Sequence, residues 1–229
     1  MSPPLLKVCG ARSAPDVALL AAAGADLVGL WHGVPGGHAE LPLADLGSLA
    51  GAARSAGLTP VLVTFASDAG QLADVLARTG IRWVQLHAFQ LPATVAALHA
   101  AVDGLTVVKV LHVRSGACLE RPLVGGYERA GTDLFLLDTM TEQGRVGSTG
   151  RRLAPADALA VAGALHRPFL LAGGLSADNA GDFAAVAAQP NYAGIDVDTA
   201  ARDGAGRFAA GAVTGLARAW RTARHSPAA

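Results

Sequence analysis

Short runs of leucine and β-branched residues recur along the chain, separated by alanine-rich stretches in which apolar positions return every three to four residues. The runs lie near Leu5 to Cys9, Leu27 to Trp31, Pro60 to Thr64, Trp83 to Leu86, Thr106 to Leu111, Leu134 to Leu137, Phe169 to Ala172 and Ala193 to Val197. Apolar runs this short and continuous read as parallel strands buried on both faces, with crossover helices between them. Helical patterns cover Pro15 to Ala23, Leu43 to Ala56, Asp68 to Arg78, Pro92 to Ala101, Pro155 to Leu165 and Gly204 to Arg224. The fifth crossover, Arg114 to Gly131, contains Gly116, Pro122, Gly125 and Gly126, which predicts a short or broken helix.

Eight alternations of strand and helix predict an α/β fold, a closed (β/α)8 TIM barrel, because strands buried on both faces need helices all round. The length of 229 residues suits one such barrel, for which about 250 is typical. The expectation is a single domain over residues 1–229, with 225–229 as a frayed tail.

Composition narrows the function classes. Apolar residues make up 52%, yet no uninterrupted apolar run reaches the roughly 18 residues of a membrane span. The opening Met-Ser-Pro-Pro runs into a strand without the layout of a signal peptide, so a soluble cytoplasmic protein is expected. Lys plus Arg and Asp plus Glu balance at 18 each, which lacks the basic footprint of a nucleic-acid binder. A small-molecule substrate is the expected partner, with no nucleic acid and no membrane. Oligomeric state is not legible, because no apolar stripe stands out from the alanine-rich helices. Cys9 and Cys118 fit neither a disulfide framework nor a CxxC metal pair.

In such a barrel, chemistry collects where the strands end. The strand ends here carry Cys9, His32, Thr64, His87, His112, Asp138, Gly173 with Gly174, and Asp196 with Asp198. Cys9 fits a small buried core residue or a reactive thiol. Lys7, two residues earlier on the same side of the strand, favours the thiolate. Asp138 follows four apolar residues, where a carboxyl is costly to bury without a task or a partner. A thiol and a carboxyl facing each other across a mouth can serve as base and acid on one substrate. Three imidazoles, His32, His87 and His112, with Asp138 or Asp196, would also suit Zn²⁺ or Fe²⁺, although no HxH or HExxH spacing is present and no metal is expected. Glycines at Gly173-Gly174 before a helical pattern allow backbone N–H groups to approach an anion, and Val146 to Arg152, with Gly150 and Arg151, forms a similar loop.

These residues resemble the phosphoribosylanthranilate isomerase family over almost the entire chain and in the right order. Lys7-Val8-Cys9-Gly10 is similar to the family's K-[IV]-C-G, Gln85-Leu86-His87 to Q-L-H, and Leu136-Leu137-Asp138-Thr139 to L-L-D-[TS]. Gly147-Ser148-Thr149-Gly150 is similar to G-G-T-G, Ala172-Gly173-Gly174-Leu175 to [AS]-G-G-L, and Ile195-Asp196-Val197 to the start of the eighth-strand motif. The resemblance implies a step of tryptophan biosynthesis, the Amadori rearrangement of an N-linked aldose to a 1-amino-1-deoxyketose. It makes Asp138 the general acid that opens the furanose ring and Cys9 the general base at C2. No cofactor is implied, since the substrate nitrogen serves as electron sink. Lys7, His32, His38, His87, His112, Gly150, Arg151, Gly173, Gly174, Asp196, Asp198 and Thr199 are the expected substrate-binding residues.

Two departures bear on the substrate. The family's D-V-S-S-G-[VL]-E after the eighth strand reads Asp196-Val197-Asp198-Thr199-Ala200-Ala201-Arg202 here. A carboxylate about 5 Å from a phosphate dianion costs roughly 7 kcal/mol at an effective dielectric of about 20, before screening. Arg202 or Arg151 could offset part of that. Loss of glycine at Ala200 restricts close backbone approach. The loop after the second strand lacks the family's arginine, and His38 is the nearest positional substitute. The alternatives are a relative using the Cys9 and Asp138 pair on a different amino sugar or carbonyl compound without phosphate, or a metal-dependent lyase or ligand-binding barrel.

Overall fold

A computed structural model describes residues 3–114, 116–139 and 152–223. In chain order the elements are β1 (Leu5–Cys9), α1 (Ala14–Ala22), β2 (Leu27–Trp31), α2 (Leu43–Ser55), β3 (Thr59–Thr64), α3 (Ala69–Thr79), β4 (Trp83–Leu86), α4 (Pro92–Ala101) and β5 (Thr106–Arg114). There follow β6 (Ala117–Cys118), α5 (Val124–Arg129), β7 (Leu134–Thr139), α6 (Pro155–Ala162), β8 (Phe169–Leu171), α7 (Ala184–Ala187), β9 (Tyr192–Val197) and α8 (Ala210–Ala223). The sheet runs β4-β3-β2-β1-β9-β8-β7-β5, and a β4–β5 pairing closes it into a barrel. Every barrel pairing is parallel, and the short β6 adds antiparallel to the end of β5.

Local chemistry sets the helix ends. Ser13 accepts from the Asp16 N–H and Asp68 from the Gln71 N–H, each satisfying a donor of the first turn that has no partner within its helix. Gly80 ends α3 in the left-handed conformation that glycine adopts without steric cost.

Alternation along the strands sorts the side chains. Leu6, Val8, Val28, Leu30, Leu62, Leu111 and Leu137 face outward into the layer shared with the helices. Val108, Val110, Leu134, Leu136 and Leu170 fill the lower barrel interior, and Cys9, Trp31 and Val63 form a third cluster at the mouth.

Several boundaries differ from the sequence reading. β5 runs on to Arg114 instead of ending at Leu111, because β7 pairs with it as far as Val113 and β6 folds back on its last two residues. The fifth crossover holds only that hairpin, a 3-10 turn at Arg121–Leu123 and the short α5, in keeping with its glycines. α6 stops at Ala162. The final helix starts at Ala210 rather than Gly204, since Asp203 caps a turn through Gly206 at φ +77° and Arg202 bridges to Phe208. After β8 the helical pattern resolves into a 3-10 turn, Ala180–Phe183, and the four-residue α7. Among the described residues no helix is long and apolar enough to cross a membrane.

Candidate active site

The strand ends surround a cavity of about 300 Å³ at the mouth. Cys9 enters it from β1, Trp31 from β2, Val63 from β3, Gln85 and His87 from β4, and Asp138 and Thr139 from β7. Gly173 to Ser176 follow β8 along one wall, and Asp196 to Ala200 follow β9 along the next.

β1 points Lys7 and Cys9 to the same side, and β9 sets Asp196 opposite Lys7 in register. The buried ammonium of Lys7 donates to Cys9 Sγ at 2.7 Å and to Asp196 Oδ2 at 2.9 Å, with Sγ 3.7 Å from the same carboxylate oxygen. Burial works against the Lys7 charge, but Asp196 and Cys9 outweigh it, so Lys7 holds its proton more tightly than usual. Burial and the Asp196 charge push the Cys9 thiol up to about 12, against the pull of Lys7. Lys7 does favour the thiolate, as its place on the strand suggests, but desolvation and the Asp196 carboxylate outweigh it. Gly29 of β2 makes room for this thiol, since a Cβ at that position would collide with Sγ.

Across the mouth, Asp138 Oδ1 accepts from the Thr139 N–H at 2.7 Å, and Asp138 Oδ2 lies 3.3 Å from His87 Nε2. Gln85 Nε2 stands 3.0 Å from His87 Nδ1. With the amide so oriented, Nδ1 accepts and the imidazole proton sits on Nε2, facing Asp138. Gly173 is at φ +85°, and a Cβ there would meet Thr139 Cγ2 at 2.9 Å and Asp138 Oδ1 at 3.3 Å, so glycine keeps this carboxyl in place.

At the β9 rim, Asp198 Oδ1 accepts from Arg202 Nε at 2.7 Å and its Oδ2 lies 3.2 Å from His38 Nε2. His38, half exposed, also packs edge-on against Trp31 at 4.7 Å. Arg202 is thus committed to protein acceptors and is not a spare cation for a substrate phosphate. Ser176 N–H is likewise taken, by Asn179 Oδ1 at 2.9 Å, so the stretch after Gly174 offers fewer free amides than a full helix start.

Of the residues expected from sequence, Cys9, His87, Asp138, Gly173, Gly174, Asp196, Asp198 and Thr199 gather at the cavity, with Lys7 beneath it and His38 at its edge. His32 and His112 do not line it. His32 Nδ1 contacts the Leu41 carbonyl at 2.8 Å, within a loop whose Glu40 caps the Gly33 and Val34 amides. His112 is buried against Glu120, with Nδ1 to Oε1 at 2.5 Å and its own N–H donating to Oε2 at 2.8 Å. Thr64 is buried, and its Oγ1 accepts from the Ala66 N–H at 3.1 Å. Gly150 and Arg151 lie outside the described residues. Among the described residues no three His, Cys, Asp or Glu side chains gather as a metal site requires, so the three histidines do not form the centre considered above. Sequence reasoning missed Trp31, Val63 and Ser176, whose apolar or small character carries no chemical signature, and gave Gln85 no role of its own.

The family pattern described as N-(5'-phosphoribosyl)anthranilate (PRA) isomerase matches residues 6–205. The chain belongs to the phosphoribosylanthranilate isomerase family. N-(5'-phosphoribosyl)anthranilate isomerase of Afipia carboxidovorans is 32% identical over 97% of this chain and 92% of its own. N-(5'-phosphoribosyl)anthranilate isomerase 2 of Methanosarcina mazei is 28% identical over 88% and 87%. The solved phosphoribosylanthranilate isomerase of Pyrococcus furiosus, 21% identical, superposes with a TM-score of 0.75 over 96% of this chain and 99% of that one, which shows the shared barrel.

Proposed function

We propose that the protein is an aldose-ketose isomerase that carries out the Amadori rearrangement of N-(5'-phosphoribosyl)anthranilate. The observation that carries this reading is that Cys9 and Asp138 stand on separate walls of one cavity, each with its own charged or imidazole partner. Asp138 gives a proton to the furanose ring oxygen, the ring C–O bond breaks, and the nitrogen lone pair forms the C1–N Schiff base. Cys9, as thiolate, then takes the proton from C2, and the electron pair moves into C1–C2 as the iminium becomes the enolamine. Tautomerisation yields the 1-amino-1-deoxyketose.

The surroundings support these roles. Lys7 stabilises the thiolate electrostatically. His87, with Nε2 3.3 Å from Asp138 Oδ2, is placed to orient that carboxyl toward the substrate. Trp31 and Val63 offer an apolar wall for the anthranilate ring, while Gly173 to Ser176 and Thr199 with Ala200 offer the opposite wall for the phosphate end.

One observation favours a second reading, a relative acting on an unphosphorylated amino sugar. Among the described residues the cavity wall carries Asp138, Asp196 and Asp198 but no lysine or arginine.

The test is incubation of purified protein with N-(5'-phosphoribosyl)anthranilate generated in place, following loss of its fluorescence and identifying the product by mass and chromatography. Conversion to the ketose establishes the reading. No conversion by folded protein, with turnover of the dephosphorylated compound instead, would replace it by the second.

A further inference from the structure

Arg202 stands where the family pattern quoted above has a glutamate, and its side chain is only 14% exposed. Its Nε–H donates to Asp198 Oδ1 at 2.7 Å, Nη1 to the Gly206 carbonyl at 3.0 Å, and Nη2 to the carbonyls of Gly10 at 3.1 Å and Cys9 at 3.4 Å. The guanidinium also lies 3.9 Å over the Phe208 ring. Gly10, at φ +86°, is shaped around it, because a Cβ there would come within 2.7 Å of Nη2. Three separate segments therefore meet on one planar group: the end of β1, the turn after β9, and the loop that returns from Asp203 to Phe208. A guanidinium so occupied is not part of the cavity wall. What it grips are the carbonyls of two successive peptide units, Cys9–Gly10 and Gly10–Ala11, on the backbone that carries the thiol.

We propose that Arg202 is a positioning residue for Cys9, using Asp198 as its counter-ion and the carbonyls of Cys9 and Gly10 as its grip, so that the thiol is held toward the cavity. The acid in place of serine and the arginine in place of glutamate are then one coupled change, an ion pair four residues apart at the rim. Asp198 serves to anchor the arginine rather than to meet the substrate. The planar fork matters, since a lysine reaching the same place would carry the charge without three donors aimed at three segments. Asp198 is among the charges that raise the Cys9 thiol, and Arg202 is the ion-pair partner of that carboxylate.

Only the kinetic arm of the test rests on the isomerase reading. Arg202→Lys and Arg202→Met are compared with the parent after circular dichroism shows that each is folded. In both, kcat falls roughly 10- to 100-fold with KM changed less than about threefold, the pattern of a misplaced reacting group rather than a lost substrate contact. Independently, capture of Cys9 by iodoacetamide is followed against pH by peptide mass, which separates it from Cys118. The profile moves to higher pH in Arg202→Met and stays near that of the parent in Arg202→Lys, which keeps the charge. Unchanged kcat and an unchanged capture profile in Arg202→Met would overturn the proposal, as would a rise in KM alone, which would make the guanidinium a substrate anchor. If the parent converts no phosphoribosylanthranilate, the isomerase reading fails while the capture profile still decides the role of Arg202.

Discussion

The ammonium of Lys7 lies 2.7 Å from Cys9 Sγ, yet the thiol is pushed up to about 12 because burial and Asp196 together outweigh that one cation. The resting thiol is protonated at neutral pH, and the active thiolate is a minority species. The thiolate is read most directly on Cys9 itself, because turnover also needs the proton on Asp138: capture of Cys9 by iodoacetamide is expected to climb through pH 9 without a plateau. A plateau beginning near pH 7 would show that Lys7 outweighs burial and Asp196.

Lys7→Met removes the cation that supports the thiolate and leaves Asp196 beside Cys9 without its partner. Turnover is expected to fall about 100-fold or more, within the range typical of a lost acid or base. Iodoacetamide capture of Cys9 at pH 8 is expected to slow in parallel, and that measurement checks the electrostatic role without substrate.

Cys9 also couples stability to pH. Its folded-state value lies above the ordinary 9.0, so the folded protein holds the thiol proton between about 9 and about 12 while the unfolded chain has lost it. This contribution is fully present below pH 9 and is lost as pH rises through that window, at up to about 1.4 kcal/mol per pH unit for one group. Denaturant titrations of wild type and Cys9→Ala at several alkaline pH values will show it as a slope the variant lacks.

Glu120 pairs with His112 under the β5–β6 hairpin, both buried. Burial raises the Glu120 carboxyl, but the hydrogen bond and charge of His112 outweigh it and leave it below the ordinary 4.5. Stability from this pair is present above pH 4.5 and is lost as pH falls below it. Glu120→Gln is expected to destabilise the fold by about 3 kcal/mol in urea titration at pH 7, the scale of a buried pair losing one member.

Gly29→Ala places a methyl where Cys9 Sγ stands. An overpacked site of this kind costs about 1–3 kcal/mol, and here the strain falls on the reacting group. Turnover should fall well beyond what the loss in melting temperature accounts for. Equal activity in Gly29→Ala would mean that the thiol has room to move.

The barrel was legible because its signal is repeated: eight apolar runs such as Leu134 to Leu137 alternate with helical patterns, and no single boundary decides the architecture. Cys9, Asp138, Gly173 and Asp196 were legible for a related reason, as each interrupts an apolar run at a strand end. What the sequence did not disclose were partners distant along the chain. Glu120 takes His112 away from the cavity, and Leu41 takes His32, through contacts set by a hairpin and a loop with no periodic pattern. Arg202 read as a cation free to meet a phosphate, because nothing near it in sequence announces the carbonyls of Cys9 and Gly10. Trp31 shapes the mouth from within a strand where it reads as ordinary core.

The most direct test of the account compares wild type, Cys9→Ala and Asp138→Asn for conversion of N-(5'-phosphoribosyl)anthranilate, with each protein shown to be folded. The account predicts conversion by wild type and a loss of about 10²–10⁴-fold in each variant. Conversion at the wild-type rate by either variant would contradict it, because the acid and the base would then have to be other groups.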